Sequence, residues 1–292
     1  MKIDWRSREA FSYGAILMLG VFCAAVWVAV WAATPRGVLT VAVLDVGQGD
    51  AIYVESPTGQ QLLIDAGPDD ALLRQLPKVM PLLDRSIDAV LETHPHADHV
   101  AGFVTLLKRY SVGMFVEPGV AYDTNVVRTV EQEVADKNIS RYIARRDMVL
   151  DLGGGVTLDI LYPDYDVSHI PEAKVHEGNV VARLVYGSTS VLLMGDAPQD
   201  VEDHLIQMGG DTLSSTILKV GHHGSRTSTG EGFAALVHPQ FAAISVAANN
   251  KYHLPNQEPI DALTSDGAEV LRTDEMGTIV FKSDGKTFWY AK

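Results

Sequence analysis

Four side chains that can bind a metal ion lie within six residues of one another, in the segment Thr93-His94-Pro95-His96-Ala97-Asp98-His99. An apolar run over residues 87–91 predicts a strand before the segment, and residues 100–110 predict a helix after it. Surface histidines and an N-cap aspartate are the ordinary alternative, but four such groups in so short a window favour a metal site. Imidazole together with carboxylate suits zinc, manganese or iron better than calcium or magnesium, which prefer oxygen ligands.

Further ligands are expected elsewhere in the chain. If His94 and His96 bind one ion and Asp98 and His99 bind a second, both ions still need partners. Three positions close to predicted strands offer them: His176, Asp196 and the adjacent pair His222-His223. A carboxylate at position 196 with one oxygen for each ion would bridge the two.

The elements that must position these residues read as an α/β domain. Residues 39–46, 51–55 and 61–65 predict a meander of short antiparallel strands, and a helical stretch interrupted by Pro77 follows. Strands and helices then alternate. Further strands are predicted at residues 87–91, 113–117, 156–162, 180–186, 190–194, 216–220, 241–247, 268–271, 278–281 and 287–290, and helices at 100–110, 125–136, 199–208 and 260–264. This order predicts two sheets sandwiched between helices, with histidine and aspartate side chains at one edge.

The N-terminal residues predict a membrane anchor. No charged residue occurs between Ser12 and Ala33, a length that can cross a bilayer. Basic residues outweigh acidic ones before this segment, which favours a cytoplasmic N-terminus. The predicted organisation is a cytoplasmic segment at 1–11, a transmembrane signal anchor at 12–33, a linker at 34–37 and an extracytoplasmic hydrolase domain at 38–292. The alternatives are a cleaved signal peptide that releases a secreted protein and a buried core helix.

Composition limits the classes of partner. The 292 residues are 47% hydrophobic and 21% charged, as in ordinary folded proteins, and the formal net charge is −14. Residues 1–37 hold four basic and two acidic side chains, which leaves 19 basic against 35 acidic residues, or −16, in the remainder. Such an acidic domain disfavours sequence-blind capture of nucleic acid, which depends on lysine and arginine. The single cysteine, Cys23, excludes an intramolecular disulfide.

Six sequence blocks carry a resemblance to a known family: residues 44–51, 63–67, 94–102, 193–196, 218–225 and 272–279. Their H-x-H-x-D-H, D-V-G-Q-G-D and G-H-H-G-S motifs resemble the metallo-β-lactamase superfamily and, within it, the hydrolase-like domain of ComEC-like competence proteins. The chain would be a stand-alone form of that domain with one N-terminal span. The resemblance implies a four-layer αββα sandwich with two divalent metal ions, zinc in first place and manganese or iron as alternatives.

The resemblance also implies a ligand set, which comprises His94, His96, Asp98, His99, Asp196 and one of His222 and His223. We favour His222 as the ligand and His223 as a proton donor or substrate contact, although the sequence does not separate the two. Where this branch usually has Asn-x-x-Ser, the chain has His176-Glu177-Gly178-Asn179, so His176 is expected to restore a third imidazole. A histidine near the C-terminal end is shifted by one position, to His253, which leaves its role open.

Neighbouring residues have supporting interpretations. Asp45, Gln48 and Asp50 are expected to shape a turn, and Asp65 is expected to hydrogen-bond a ligand histidine. A further group, Ser225, Arg226 and Thr227, either contacts a phosphate or caps a helix that begins near Gly230. Glu117 and Tyr122 are interpreted as fold residues.

The chemistry expected of such a site is hydrolysis by a hydroxide that bridges two metal ions. Asp98 would orient the water and His223 would protonate the leaving group. We expect a membrane-anchored phosphodiesterase or nuclease, with a small phosphoester or nucleic acid as substrate. The alternatives are hydrolysis of an ester, lactone or β-lactam at the same site, and a membrane-tethered binding module without turnover.

Overall fold

A computed structural model describes residues 5–33, 37–209 and 213–291 of the chain. The helices in these residues are α1 (Trp5–Ala33), α2 (Ala71–Val79), α3 (Ala97–Arg109), α4 (Asn125–Asp136), α5 (Gln199–Gly209), α6 (Glu231–Val237), α7 (Gln257–Ser265) and α8 (Thr273–Met276). The strands are β1 (Leu39–Val43), β2 (Ile52–Glu55), β3 (Gln61–Ile64), β4 (Ser86–Leu91), β5 (Ser111–Glu117), β6 (Ser140–Ile143), β7 (Val149–Asp151), β8 (Val156–Tyr162), β9 (Val181–Tyr186), β10 (Thr189–Leu193), β11 (Ile217–Lys219), β12 (Phe241–Ile244), β13 (Glu269–Arg272), β14 (Ile279–Ser283) and β15 (Phe288–Ala291). Short 3₁₀ turns occupy Glu172–Gly178 and Gly221–Gly224.

The strands of the described residues form two mixed sheets. The first has the order β15-β14-β1-β2-β3-β4-β5-β6, and the second has the order β13-β12-β11-β10-β9-β8-β7. Strands β3 to β6 are parallel, and so are β10 to β13. The carboxyl ends of parallel strands meet at one edge of a sheet, which is where ligands bind in such folds.

Three apolar clusters separate the layers. Alternate side chains of β1, including Val41 and Val43, join residues of the second sheet, such as Leu158 and Leu184, in a core between the two sheets. The opposite face of the first sheet packs on α2, α3 and α4. The outer face of the second sheet packs on α5, α6 and α7. The order of layers is therefore helices, sheet, sheet, helices, as predicted.

Several predicted boundaries differ from the observed ones. The helix after the histidine segment begins at Ala97, so Asp98 and His99 lie in its first turn. Helix α2 continues through Pro77 as far as Val79, and α7 begins at Gln257, three residues before the predicted start. Strands β6 and β7 were not predicted, because their side chains are largely exposed and show no buried alternation.

The N-terminal helix α1 starts at Trp5, well before the predicted span at residues 12–33. Its apolar side chains are exposed between Tyr13 and Val28, with Trp27 at 75%. Within the described residues, no helix combines the length and the apolar character needed to cross a bilayer. The predicted transmembrane span is therefore not confirmed. The residues between this helix and Gly37 lie outside the described part of the chain.

Candidate metal centre

The turn between β4 and α3 is held together by the buried carboxylate of Asp65. Its oxygens accept hydrogen bonds from the backbone N–H and the hydroxyl of Thr93, at 2.8 and 2.7 Å. The same carboxylate lies 2.7 Å from Nδ1 of His99. Asp65 therefore joins the end of the strand to the first turn of the helix and orients the imidazole, as the sequence predicted.

A first group of ligands consists of His94, His96 and His176, whose metal-binding atoms lie within 4.8 Å of one another. Nε2 of His176 lies 3.0 Å from Nδ1 of His96. His94 is fully buried, whereas the side chain of His176 is 28% exposed. The turn that precedes β9 thus brings His176 from the second sheet to the histidine segment of the first.

A second group consists of Asp98, His99 and His223, again with binding atoms within 4.8 Å. Nε2 of His223 is 3.5 Å from Oδ2 of Asp98. His99 and His223 are buried, while the side chain of Asp98 is 34% exposed. Asp98 is therefore the member of this group that solvent or a substrate reaches.

Asp196 stands between the two groups. Its Oδ2 lies 3.8 Å from Nε2 of both His94 and His176. Its Oδ1 lies 3.4 Å from Nε2 of His99 and 3.7 Å from Nε2 of His223. One carboxylate oxygen therefore faces each group, which is the arrangement of a bridging ligand.

The adjacent histidines His222 and His223 reach Asp196 from different sides because both have left-handed backbone angles, with φ of 47° and 54°. Nε2 of His222 lies 3.8 Å from Oδ2 of Asp196, beside His176. The side chain of His222 is 27% exposed and that of His223 is 2% exposed. The sequence preferred His222 as a ligand. The geometry brings both to the site and joins His223 to the group of Asp98.

The donor atoms fit a metal ion. Nε2 of His94, His99 and His223 and Oδ1 of Asp196 are buried and have no hydrogen-bond partner within the described residues. Buried polar atoms are almost always hydrogen-bonded, so such a cluster of unpaired atoms needs another partner. Imidazole nitrogens with carboxylates are the ligand type of zinc, manganese and iron. The residues therefore suit two divalent ions.

Burial is the main influence on the first group. It holds the pKa of His94 well below its usual range and lowers the pKa of His96. It also lowers the pKa of His176 to about 4. A buried imidazolium would lose its hydration without sufficient compensation from Asp196. These imidazoles are consequently neutral near pH 7.

Carboxylates dominate the second group. Burial opposes the charge on His99, but Asp196 and Asp65 outweigh it and raise the pKa of His99 well above its usual range. Around His223, burial is outweighed by three carboxylates, of which Asp196 has the largest effect, and the pKa rises to about 10. Burial likewise opposes the charge on Asp196, and the neighbouring histidines hold its pKa well below the ordinary value.

Two supporting residues were not recognised as such from the sequence. Asp50, which was expected only to shape a turn, is buried and pairs with the buried ammonium of Lys219 at 2.7 Å. Its other oxygen lies 3.4 Å from Nδ1 of His223. A lysine three positions before the histidine pair, in an otherwise apolar strand, was the available signal. The turn itself is as predicted, with Asp45 accepting a hydrogen bond from Gly47 N–H.

The remaining candidates lie around the rim. The hydroxyl of Thr227 is 3.1 Å from Nδ1 of His222 and 2.9 Å from the hydroxyl of Ser225. Helix α6 begins after Gly230 without a side-chain cap, so the alternative of Ser225 or Thr227 as a cap was wrong. His253 is exposed and belongs to neither group described above. The ring of Tyr122 lies 5.4 Å from that of His96, so Tyr122 borders the site.

Glu117, which the sequence interpretation assigned to the fold, accepts two hydrogen bonds from Arg141, at 2.9 and 2.6 Å. Arg226 lies 3.8 Å from Glu258 and is exposed. Neither contact reaches the two ligand groups.

Two sheets between helices, with two histidine and aspartate groups that share a carboxylate, define the fold of a metal-dependent hydrolase. The chain belongs to the metallo-beta-lactamase superfamily, whose sequence profile matches residues 44–239. The family prediction from the sequence is confirmed.

Two relatives support the competence branch within this superfamily. The chain is 30% identical over 256 residues to ComE operon protein 3 of Bacillus subtilis, across 82% of this chain and 32% of that protein. It is 27% identical over 250 residues to competence protein ComA of Neisseria gonorrhoeae, across 85% of this chain and 33% of that protein. The matched region thus spans about a third of each relative.

A solved structure shows the same fold. The metallo-beta-lactamase fold protein YhfI from Bacillus subtilis superposes with a TM-score of 0.54 at 15% identity, covering 87% of this chain and 100% of that one.

Proposed function

We propose that this protein is a two-metal hydrolase that cleaves phosphodiester bonds. His94, His96 and His176 would hold the first ion, and Asp98, His99 and His223 the second. Asp196 would bridge them. The observation that carries the proposal is the position of Asp196, whose two oxygens face the two groups separately. This assignment replaces the preference for His222 as the ligand, because His223 is the imidazole that lies beside Asp98.

When bound, the two ions would lower the pKa of a water molecule towards neutrality and polarise the oxygen of the substrate. The chain supplies the orientation. Burial opposes ionisation of Asp98, but the imidazoles of His223, whose Nε2 lies 3.5 Å away, and of His99 outweigh it and lower the pKa, so the carboxylate stays ionised. An ionised and partly exposed carboxylate can accept a hydrogen bond from the attacking water and fix its direction.

His222 is proposed to contact the substrate. Burial lowers the pKa of His222, so the ring is neutral near pH 7. Its Nδ1 lies 3.1 Å from the hydroxyl of Thr227, which can donate to it and leave a hydrogen on Nε2. That N–H, on the side of the ring that lies 3.8 Å from Oδ2 of Asp196, would bind an oxygen of the substrate.

Similarity to competence proteins favours a phosphodiester as the substrate. The acidic composition favours a small or cell-surface phosphodiester over long nucleic acid. The runner-up is hydrolysis of an ester, lactone or β-lactam by the same residues. A binding module without turnover is a third possibility, and the full set of ligands argues against it.

A substrate panel tests the proposal. The metal-loaded protein is offered bis-p-nitrophenyl phosphate, a lactone and a chromogenic β-lactam, with Asp196→Ala as the inactive control. We expect hydrolysis of the phosphodiester alone. Activity only on the lactone or the β-lactam would favour the runner-up, and inactivity on all three with two ions bound would favour the binding module. Single-stranded and double-stranded DNA, added as competitors, then test nucleic acid as the substrate.

We further propose that the hydrolase domain is anchored to the outer face of a membrane by residues 12–33. The support is the uncharged sequence of that segment and the basic residues before it. Protease treatment of intact cells should digest the domain, and the digestible protein should sediment with membranes. A full-length protein in the soluble cytoplasmic fraction would contradict the anchor, and a shortened one in the medium would indicate signal cleavage.

A further inference from the structure

The turn over residues 47–50 lies directly behind the second group of ligands. The backbone N–H of Asp50 donates to the carbonyl of Asp98 at 3.3 Å, and Gly67 N–H donates to the carbonyl of Asp50 at 2.8 Å. Gly49 has a φ of 142°, and a Cβ there would lie 2.1 Å from the carbonyl oxygen of Asp98. The turn therefore needs glycine to reach the helix turn that carries Asp98.

The side chain of Asp50 reaches the other end of the same group. Its Oδ1 lies 3.4 Å from Nδ1 of His223 and has no hydrogen-bond partner within the described residues. The carbonyl of Ser245 lies closer to the same nitrogen, at 3.0 Å. With a carbonyl that can only accept, Nδ1 carries the hydrogen and Nε2 is left as the metal-binding atom. Asp50 adds a negative charge on the side of the ring away from Asp98 and Asp196.

Lys219 fixes that carboxylate. Its ammonium lies 2.7 Å from Oδ2 of Asp50 and 3.1 Å from the carbonyl of Val220, and both charged side chains are 1% exposed. The free energy lost when two charges are desolvated offsets much of their attraction. Apolar residues of similar size therefore often stabilise a fold as much as a buried ion pair does. A fully buried pair in contact with a ligand histidine therefore favours a role in arranging the site.

We propose that Asp50 and Lys219 are positioning residues that hold His223 and the backbone of Asp98 in place for the second ion and not for the first. This inference rests on the ligand assignment of the proposed function. The two groups differ in this support, because the contacts of the turn at 47–50 reach Asp98 and His223. The hydrogen bonds of the first group run instead to Thr93 and between its own members.

Metal binding measures the effect without any substrate. Wild-type protein, Asp50→Asn and Lys219→Met are stripped of metal and titrated with zinc by calorimetry, and with cobalt by visible absorption, which reports the ligand geometry. We expect the second ion to bind about 10- to 100-fold more weakly in both variants, which is the usual effect of losing such support. The first ion should bind unchanged. Arg141→Met, which breaks the Arg141–Glu117 pair outside both ligand groups, is the matched control.

Loss of a buried partner can also unfold the chain, so the double variant Asp50→Asn with Lys219→Met, which leaves no unpaired charge, is measured as well. It should fold and still bind the second ion weakly. Normal binding of both ions by a folded single or double variant would overturn the inference, as would equal weakening of both ions. A wild-type chain that binds one ion would overturn the ligand assignment too. Two ions bound normally by the wild-type protein without phosphodiester hydrolysis would refute the proposed function alone.

Discussion

Both ligand groups contain histidine side chains, but the groups that surround these imidazoles differ. His99 and His223 each face a buried carboxylate behind the ring, that of Asp65 at 2.7 Å and that of Asp50 at 3.4 Å. The imidazoles of the first group instead form hydrogen bonds with the hydroxyl of Thr93 and with one another. Burial then lowers the pKa values in the first group, whereas carboxylates raise them in the second. Imidazole ligands of the two groups therefore differ in whether a metal ion must displace a proton when it binds.

The largest effect is expected for a substitution of Asp196, because both ligand groups share this residue. Asp196→Ala should lower kcat/KM for a phosphodiester by about 10³-fold or more, because it removes one ligand oxygen from each ion. Metal content measured by plasma emission should fall for both ions. His253→Ala is the control and should keep wild-type activity. Retention of two ions and full turnover in Asp196→Ala would contradict the bridge.

The two groups should also respond differently to pH. His223 has a pKa of about 10, so near neutral pH the metal-free chain holds a proton there that the second ion must displace. Affinity for that ion should therefore rise about tenfold per pH unit for each proton displaced, between about pH 6 and pH 8. His176 has a pKa of about 4, and binding of the first ion should change little over that range.

Calorimetry in two buffers with different ionisation enthalpies counts the protons released with each ion. Equal proton release for the two ions would remove the distinction between the groups.

A smaller and selective effect is expected at the support of His99. Asp65→Asn should lower the affinity for the second ion by about 10- to 100-fold and leave the affinity for the first ion nearly unchanged. Thr93→Val, which removes the hydroxyl near His94 as well as a partner of Asp65, should affect both ions weakly. Zinc titration with circular dichroism as a check on folding makes the measurement. If Asp65→Asn lowered the affinity for the first ion more than that for the second, Asp65 would not be a support of the second group.

The smallest effect is expected outside both groups. Thr227→Val removes the hydroxyl beside Nδ1 of His222 and should lower kcat by about tenfold or less while both ions remain bound. Thr227→Ser keeps the hydroxyl and is the control. Loss of metal in Thr227→Val would show that His222 is itself a ligand.

Much of this site could be predicted because its ligands follow strands directly. The histidine segment and Asp196 stand next to apolar runs, and parallel strands bring such ends to one edge. The choice between His222 and His223 could not be predicted, since it depends on two left-handed residues whose side chains point to different sides. The pair of Asp50 and Lys219 joins residues 169 positions apart, so the lone lysine in an apolar strand indicates a buried charge but does not identify its partner. The exposed edge strands β6 and β7 gave no periodic signal.

The folding order of the chain follows from where the ligands come from. His96 and His176 lie 80 residues apart in the sequence. Each group combines residues that follow β4 of the first sheet with one residue next to a strand of the second sheet. We expect such distant contacts to form late, because they require the closing of long loops, which costs entropy. Metal ions should accordingly bind after the rate-limiting step of folding. Added zinc should then slow unfolding strongly and change the refolding rate little, so the bound ions would act mainly on the lifetime of the native state.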